Sequence, residues 1–286
     1  MHTHIFPRFV REDRGRLFSS EPAFEALYRD PKARCAGASE LVERLDEDRV
    51  DLAVTFGFPW SSRDLCSRHN DYVMEEVAGY PGRLKGFCCV PADAGWAAAE
   101  VGRCLAGGMS GVGELAFYDR DFSEDLIASC GDVMAQAVDF DVPVIVHANE
   151  PVGPGYPGKA PVTPGGIYRF VKAYPENRVI LAHWGGGIFF YRVMKREVGE
   201  TFSNVWFDTA ASPYIYRPEI YPLAVSSAGR ERIVFGSDFP LIPPQRYFDE
   251  MAETGLPSDD ISAICGGNAM SLLGIPADGG CLSPYC

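Results

Sequence analysis

Four of the five histidines fall where short apolar runs end: His2 and His4 at the start of the chain, His147 after Val-Pro-Val-Ile-Val, and His183 after Val-Ile-Leu-Ala. A carboxylate, Asp238, occupies the same kind of position in Ile-Val-Phe-Gly-Ser-Asp. Residues two apart on a strand project to one side, so His2 and His4 can turn both imidazoles toward a single ion. Imidazole nitrogen with carboxylate oxygen is a donor set for Zn²⁺, and it also admits Mn²⁺, Fe²⁺ and Co²⁺. The pattern therefore reads as one metal site assembled from several strand ends.

Such a site needs strands that share one end. Eight apolar runs recur along the chain, at His2–Phe6, Val50–Phe58, Leu84–Val90, Gly111–Leu115, Val142–Ala148, Val179–His183, Val205–Thr209 and Ile233–Gly236. Most are continuous rather than alternating, as strands covered on both faces should be. Between them lie stretches of helical period, at Ala38–Glu47, Asp71–Ala78, Trp96–Ala106, Glu124–Phe140 and Ile167–Tyr174; Ser258–Asp260 would open a further helix running through Ile264. The alternation predicts a (β/α)8 TIM barrel formed by one domain over residues 1–286. An open doubly wound sheet is the alternative. The barrel is preferred because the polar residues gather at the C-terminal ends of many different strands. Long connections follow strands 1 and 5, the second rich in Pro and Gly, and loops of that length are expected to rim the site.

The net charge of −13 argues against nucleic acid or a membrane surface as the main partner. No transmembrane run or leader is visible, so a cytoplasmic location is expected. The nine cysteines contain no Cys-x-x-Cys pair and read as reduced thiols, several of them buried, with Cys281 and Cys286 incidental in a Gly/Pro-rich tail.

Four segments, His2-Thr3-His4-Ile5-Phe6-Pro7, Val144-Ile145-Val146-His147, Leu181-Ala182-His183-Trp184-Gly185-Gly186 and Phe235-Gly236-Ser237-Asp238-Phe239-Pro240, span nearly the whole chain. In that order they resemble the metal-dependent barrel hydrolases of the amidohydrolase superfamily. More narrowly, they are similar to the branch holding aminocarboxymuconate-semialdehyde decarboxylase and related lactone hydrolases. The resemblance implies that His2, His4 and His147 bind a divalent metal, with Zn²⁺ the first choice. It implies that Asp238 is a ligand or the base for bound water, and that His183 acts on the substrate. A bound ion would lower the pKa of its water from about 16 toward 7. One departure is that only Met1 precedes His2.

Glu114, in Gly-Val-Gly-Glu-Leu, resembles a ligand of related barrel hydrolases and would bridge a second ion, with His183 then binding that ion. Pairing with an arginine at the mouth is the other reading. Arg8, Tyr156, Lys159 and Trp184 are candidate substrate contacts, Arg8 first among the clamps for a substrate carboxylate. Trp60, Tyr214 and Tyr216 are candidates for the pocket wall or for packing. Glu150 is expected on Lys159 or on a ligand histidine. Asp208 points either to substrate or to a neighbouring loop, and His69 is expected at the surface or in a structural role. Gly185–Gly187 would either bind an anion at a helix start or pack closely on the site.

The leading expectation is hydrolysis of a small anionic ester, lactone or amide. Non-oxidative decarboxylation on the same ligands is the alternative, and a binding protein without catalysis is the third reading. A homo-oligomer fits any of them.

Overall fold

The computed structural model describes residues 1–276, so Cys281 and Cys286 lie outside the described residues. Eight parallel strands form where the apolar runs predict them: β1 (Thr3–His4), β2 (Ala53–Phe56), β3 (Leu84–Gly86), β4 (Val112–Leu115), β5 (Val144–Val146), β6 (Val179–Leu181), β7 (Val205–Asp208) and β8 (Ile233–Val234). They pair in sequence order as two runs, β1 to β3 and β4 to β8. Single parallel bridges join the runs at both seams, Cys88 to Val112 and Thr3 to Phe239. The seams are tied by Cys88 N to Gly111 O (2.9 Å) and His4 N to Phe239 O (2.7 Å). The architecture is the (β/α)8 barrel.

Strand parity separates inside from outside. Val54, Phe56, Phe87, Cys89, Ile145, Ile180, Ala182 and Val234 form one buried cluster with Met1 and Leu272, and this fills the barrel. The alternate strand residues, such as Ala53, Val112, Val144, Val146, Val179, Leu181, Val205 and Phe207, belong to the larger cluster under the helices. Burial on both faces explains the unbroken Val/Ile runs. The inner column leads to the site. Ile145 and His147 share a side of β5, and Phe56 meets the rings of His2 and His4 edge-on at 5.0 and 4.7 Å.

The Ala38–Glu47 helix has the expected bounds, and Ala97–Ala106 starts one residue later than expected. Two helices differ. The helix over Asp71–Ala78 begins at Arg63, with Ser62 Oγ accepting the Leu65 N–H at the N-cap. Its first turns are polar and bury His69 and Asn70 rather than aliphatic residues, which hides the helical period. The single helix expected over Glu124–Phe140 is two, Glu124–Ser129 and Gly131–Asp139, divided at buried Cys130. The connection after β1 is itself structured, with helices at Arg8–Asp13 and Pro22–Tyr28. No helix among the described residues is long and apolar enough to cross a membrane.

His69 fixes the exit of β1. Its Nε2 donates to the Ile5 carbonyl at 2.7 Å and its Nδ1 accepts the Trp60 indole N–H at 2.8 Å. A Cβ on Gly57 would stand 2.8 Å from this ring, so only glycine lets β2 pass so close. His69 is structural but buried, not at the surface. Burial first, with the His4 charge adding to it against the Ile5 hydrogen bond, lowers its pKa from 6.5 to about 4. The unfolded chain takes up this proton near pH 6.5 and the folded one only near 4, so the contribution is full above 6.5 and is lost as pH falls between them. The span is worth about 3 kcal/mol. His69→Gln is expected to flatten the fall in stability from pH 7 to 4.5, measured by urea unfolding. An unchanged slope would show that the imidazole titrates normally.

Candidate metal centre

The site is built on a buried carboxylate. Asp208 ends β7 with no exposed surface, and its Oδ2 accepts the Nδ1–H of His2 at 2.9 Å. Its Oδ1 accepts the backbone N–H groups of His183 (2.9 Å) and Ala210 (3.0 Å). His4 is oriented in the same manner, its Nδ1 donating to the Gly57 carbonyl at 3.1 Å. Both rings thus spend their Nδ1 protons outward and turn Nε2 to the centre.

The two Nε2 atoms face one another at 3.2 Å. Asp238 Oδ1 lies 3.3 Å from His4 Nε2 and 3.6 Å from His2 Nε2. Two lone pairs and a carboxylate at such spacing need a proton or a cation among them. Donors 2.0–2.1 Å from a tetrahedral ion sit about 3.3–3.4 Å apart, so the observed spacings suit a divalent ion. His2, His4 and Asp238 form one group of convergent donor atoms, and His2, Glu114 and His183 form a second that shares His2. Glu114 Oε2 is 3.9 Å from His2 Nε2, and its Oε1 is 3.7 Å from His183 Nε2. Glu114 pairs with histidines rather than with an arginine.

His147 stands beside both groups and belongs to neither. Its Nδ1 meets Glu114 Oε1 at 2.8 Å and its Nε2 meets the Gly158 carbonyl at 3.0 Å. Both ring nitrogens thus face protein oxygens rather than the His2, His4 and Asp238 donor atoms. His183 Nδ1 donates to the Ala210 carbonyl at 3.0 Å, which leaves Nε2 toward Glu114.

The charges sustain each other. Burial would lower the His183 pKa, but its hydrogen bond to Glu114 and the charges of Asp238, Glu114 and Asp208 raise it to about 10. Burial likewise opposes the charged form of Asp238, yet the His4 hydrogen bond and the His2 and His183 charges hold its carboxyl below the usual carboxylate range. Burial also opposes ionised Glu114, which His147 and His2 nevertheless hold well below its ordinary value. His183 (φ 53°) and Asp238 (φ 58°) both adopt the left-handed region without being glycine. Strain of this kind is tolerated where surrounding structure enforces it, and it clusters at working sites.

The expected substrate contacts fare differently. Arg8 is exposed and pairs with Glu12 at 2.6 Å, so it turns away from the site. Trp184 is fully buried, its indole N–H donating to Ser212 Oγ at 2.9 Å and its ring packing on Tyr221, so it is core rather than pocket wall. Trp60 is likewise buried, on His69, and Tyr214 is exposed. Lys159 pairs with Glu150 at 3.0 Å and donates to the carbonyls of Val152, Gly153 and Pro154, which folds the loop after β5 on itself. Tyr156 donates to the other Glu150 oxygen at 2.8 Å. A Cβ on Gly186 would lie 2.3 Å from the Asn149 carbonyl, so the glycine run serves close loop packing. Sequence reading missed the backbone acceptors at Gly57, Ala210 and Gly158, which leave no side-chain trace, and it left Asp208 open although the residue ends an apolar strand.

A family model described as "Amidohydrolase" matches residues 1–275. A gamma-resorcylate decarboxylase from Polaromonas sp. (strain JS666 / ATCC BAA-500) is 26% identical over 255 residues, covering 74% of this chain and 76% of that protein. A dihydroxybenzoic acid decarboxylase structure from Polaromonas sp. JS666, with bound manganese and the inhibitor 2-nitroresorcinol, superposes with a TM-score of 0.70 at 20% identity, covering 96% of each chain. A 5-carboxyvanillate decarboxylase from Sphingomonas paucimobilis gives a TM-score of 0.73 at 17% identity, covering 96% of this chain and 98% of its own. These relatives are decarboxylases, which overturns the leading expectation of ester, lactone or amide hydrolysis. With a family match that runs from the first histidines past the last strand, the chain belongs to the amidohydrolase family.

Proposed function

We propose that this protein is a divalent-metal-dependent, non-oxidative decarboxylase of a small carboxylated aromatic acid. The observation that carries the reading is the facing pair of His2 and His4 Nε2 atoms with Asp238 beside them, in a chain that aligns along most of its length with a decarboxylase. His2, His4 and Asp238 would hold the ion, and Glu114 and His183 would hold a second if one binds. The bound ion supplies positive charge that fixes the substrate carboxylate and offsets the negative centre. Sequence reasoning favours zinc for this donor set; the manganese in a similar structure moves the first choice to Mn²⁺.

The chain's own groups then manage one proton. In the net reaction the bond from ring carbon to carboxylate breaks, carbon dioxide leaves and a C–H bond forms, so an acid must reach that carbon. His183 is assigned to carry the proton at Nε2, with Nδ1 anchored on Ala210. Asp238, on β8 across the centre, stays ionised and receives positive charge from His2, His4 and His183. Asp208 does not meet the substrate; it holds His2 and the His183 backbone in place. A cytoplasmic location forms part of the proposal, because the seven free thiols described suit a reducing compartment.

Protein stripped with a chelator and reloaded with Mn²⁺ is expected to release carbon dioxide from 2,6-dihydroxybenzoate or 5-carboxyvanillate, followed by loss of substrate absorbance. Silence with both acids together with hydrolysis of a lactone would overturn the reading. His183→Gln and Asp238→Asn are each expected to lower kcat by about 10²–10⁴-fold while the fold persists by circular dichroism. Asp208→Asn is expected to weaken Mn²⁺ binding by about 10–100-fold, read by titration calorimetry. Wild-type affinity in that variant would remove Asp208 from the site.

A further inference from the structure

The carboxylate of Glu114 reaches the centre from an irregular strand. β4 and β5 register Val112 with Val144 and Leu115 with Val146, so β4 carries one extra residue between these pairs. A bulge of this kind turns a side chain out of the regular alternation and leaves backbone groups without their ladder partners. Here the side chain re-aimed is that of Glu114, whose oxygens face His147, His183 and His2. The Glu114 carbonyl is met by the Cys89 thiol, which donates to it at 3.3 Å.

Cys89 follows β3 and is itself fixed from outside the barrel. Asn70, on the Arg63–Gly79 helix, accepts the Cys89 N–H at Oδ1 (3.1 Å) and donates from Nδ2 to the Cys89 carbonyl (3.2 Å). One amide side chain thus meets both backbone groups of Cys89, as a neighbouring strand would. Nδ2 also donates to Glu100 Oε1 at 3.0 Å, and Arg103 and Ser67 hold Glu100 in turn. Asn70, Cys89 and Glu114 are all buried. A thiol is a weak donor, but its removal here would leave a buried carbonyl unpaired. Cys89 also belongs to the apolar cluster that fills the barrel, so donation and packing call for separate tests.

We propose that Cys89 is a positioning residue for Glu114: its thiol, clamped by Asn70, pins the bulge and so sets where the Glu114 carboxylate stands in the His2–Glu114–His183 group. The inference rests on the metal-dependent reading of this centre and not on the reaction run there. The test uses full-length protein stripped with a chelator and titrated with Mn²⁺ by calorimetry. Wild type is compared with Cys89→Ala, Cys89→Ser, Glu114→Gln and the double variant Cys89→Ala/Glu114→Gln. Circular dichroism and urea unfolding check each fold. Should the alanine variant fail to fold, Cys89→Val takes its place, filling the space without a donor. Carbon dioxide release from 2,6-dihydroxybenzoate is followed in parallel.

Cys89→Ala is expected to weaken Mn²⁺ binding by about 3- to 10-fold, and Cys89→Ser, which keeps a donor, to stay within about 2-fold of wild type. In the Glu114→Gln background the alanine should add no further loss, because the carboxylate it positions is gone. Wild-type affinity in Cys89→Ala, a serine no better than the alanine, or an equal loss in the Glu114→Gln background would each overturn the inference. With carbon dioxide still released, any of these would leave the decarboxylase reading standing. The expected pattern of affinities without carbon dioxide release would uphold the inference and sink the reaction. Wild-type protein that binds no Mn²⁺ would overturn both.

Discussion

The site depends on keeping one carboxylate charged where water cannot reach it. Asp208 has no exposed surface, and an unpaired charge in such a place costs several kcal/mol. Three donors offset that cost: the His2 imidazole and the N–H groups of His183 and Ala210. Hydrogen bonds to charged groups are worth roughly 1.5–3 kcal/mol each, so the arrangement holds only if all three are made together. The same three contacts tie β1, the turn after β6 and the turn after β7 to one point. They set the His2 tautomer and oblige His183 to start a left-handed turn. The orientation of the His2 ring and the path of the backbone around it therefore share one electrostatic cause, while His4 is turned separately by the Gly57 carbonyl.

That cause explains which parts of the molecule were legible in the residues. Strand runs such as Val144–Val146 and Val179–Leu181 are apolar on both faces because the barrel core lies on one side and helices on the other, and a continuous Val/Ile run reports that directly. The helix from Arg63 was half hidden because its buried positions before Val73 include His69 and Asn70, polar groups satisfied by Ile5, Trp60 and Cys89. At the site, the convergence of His2, His4 and Asp238 was legible from type and spacing at the ends of apolar strands. His147 was not, because its direction is decided by a distant glutamate and by the Gly158 carbonyl. Arg8 and Trp184 misled for opposite reasons. Nearness in sequence to His4 says nothing about which way a helical side chain points, and nearness to His183 places Trp184 under the site instead of over it.

The acidity of the centre then limits what can bind there. Asp208, Glu114 and Asp238 lie close to His2 and His183, and their charges push the His183 imidazole toward its protonated form against the pull of burial. A centre with this much negative charge would repel an anionic substrate in the absence of a cation. The donor spacings around His2 and His4 and the proposed anionic substrate are therefore linked: an ion held there would relieve the crowded lone pairs and also offset the negative field a substrate would meet.

Hydrolysis and decarboxylation could not be separated from the ligand residues because both place a carboxyl or carbonyl oxygen against the same positive charge. They differ in the next atom. Hydrolysis requires water held in line with a carbonyl, whereas decarboxylation requires a proton donor within reach of carbon. Around this centre His2, Glu114, His147 and His183 are all buried. The ring of Tyr118 meets that of His147 at 5.2 Å and lies parallel to Phe58, which in turn meets Tyr28. An aromatic face beside a strongly proton-holding imidazole would suit the proposed reaction, in which a ring carbon must accept a proton. On the proposed reading, the choice between the two reactions would lie in what surrounds the ion, and the His2, His4 and Asp238 donor set alone could not have revealed it.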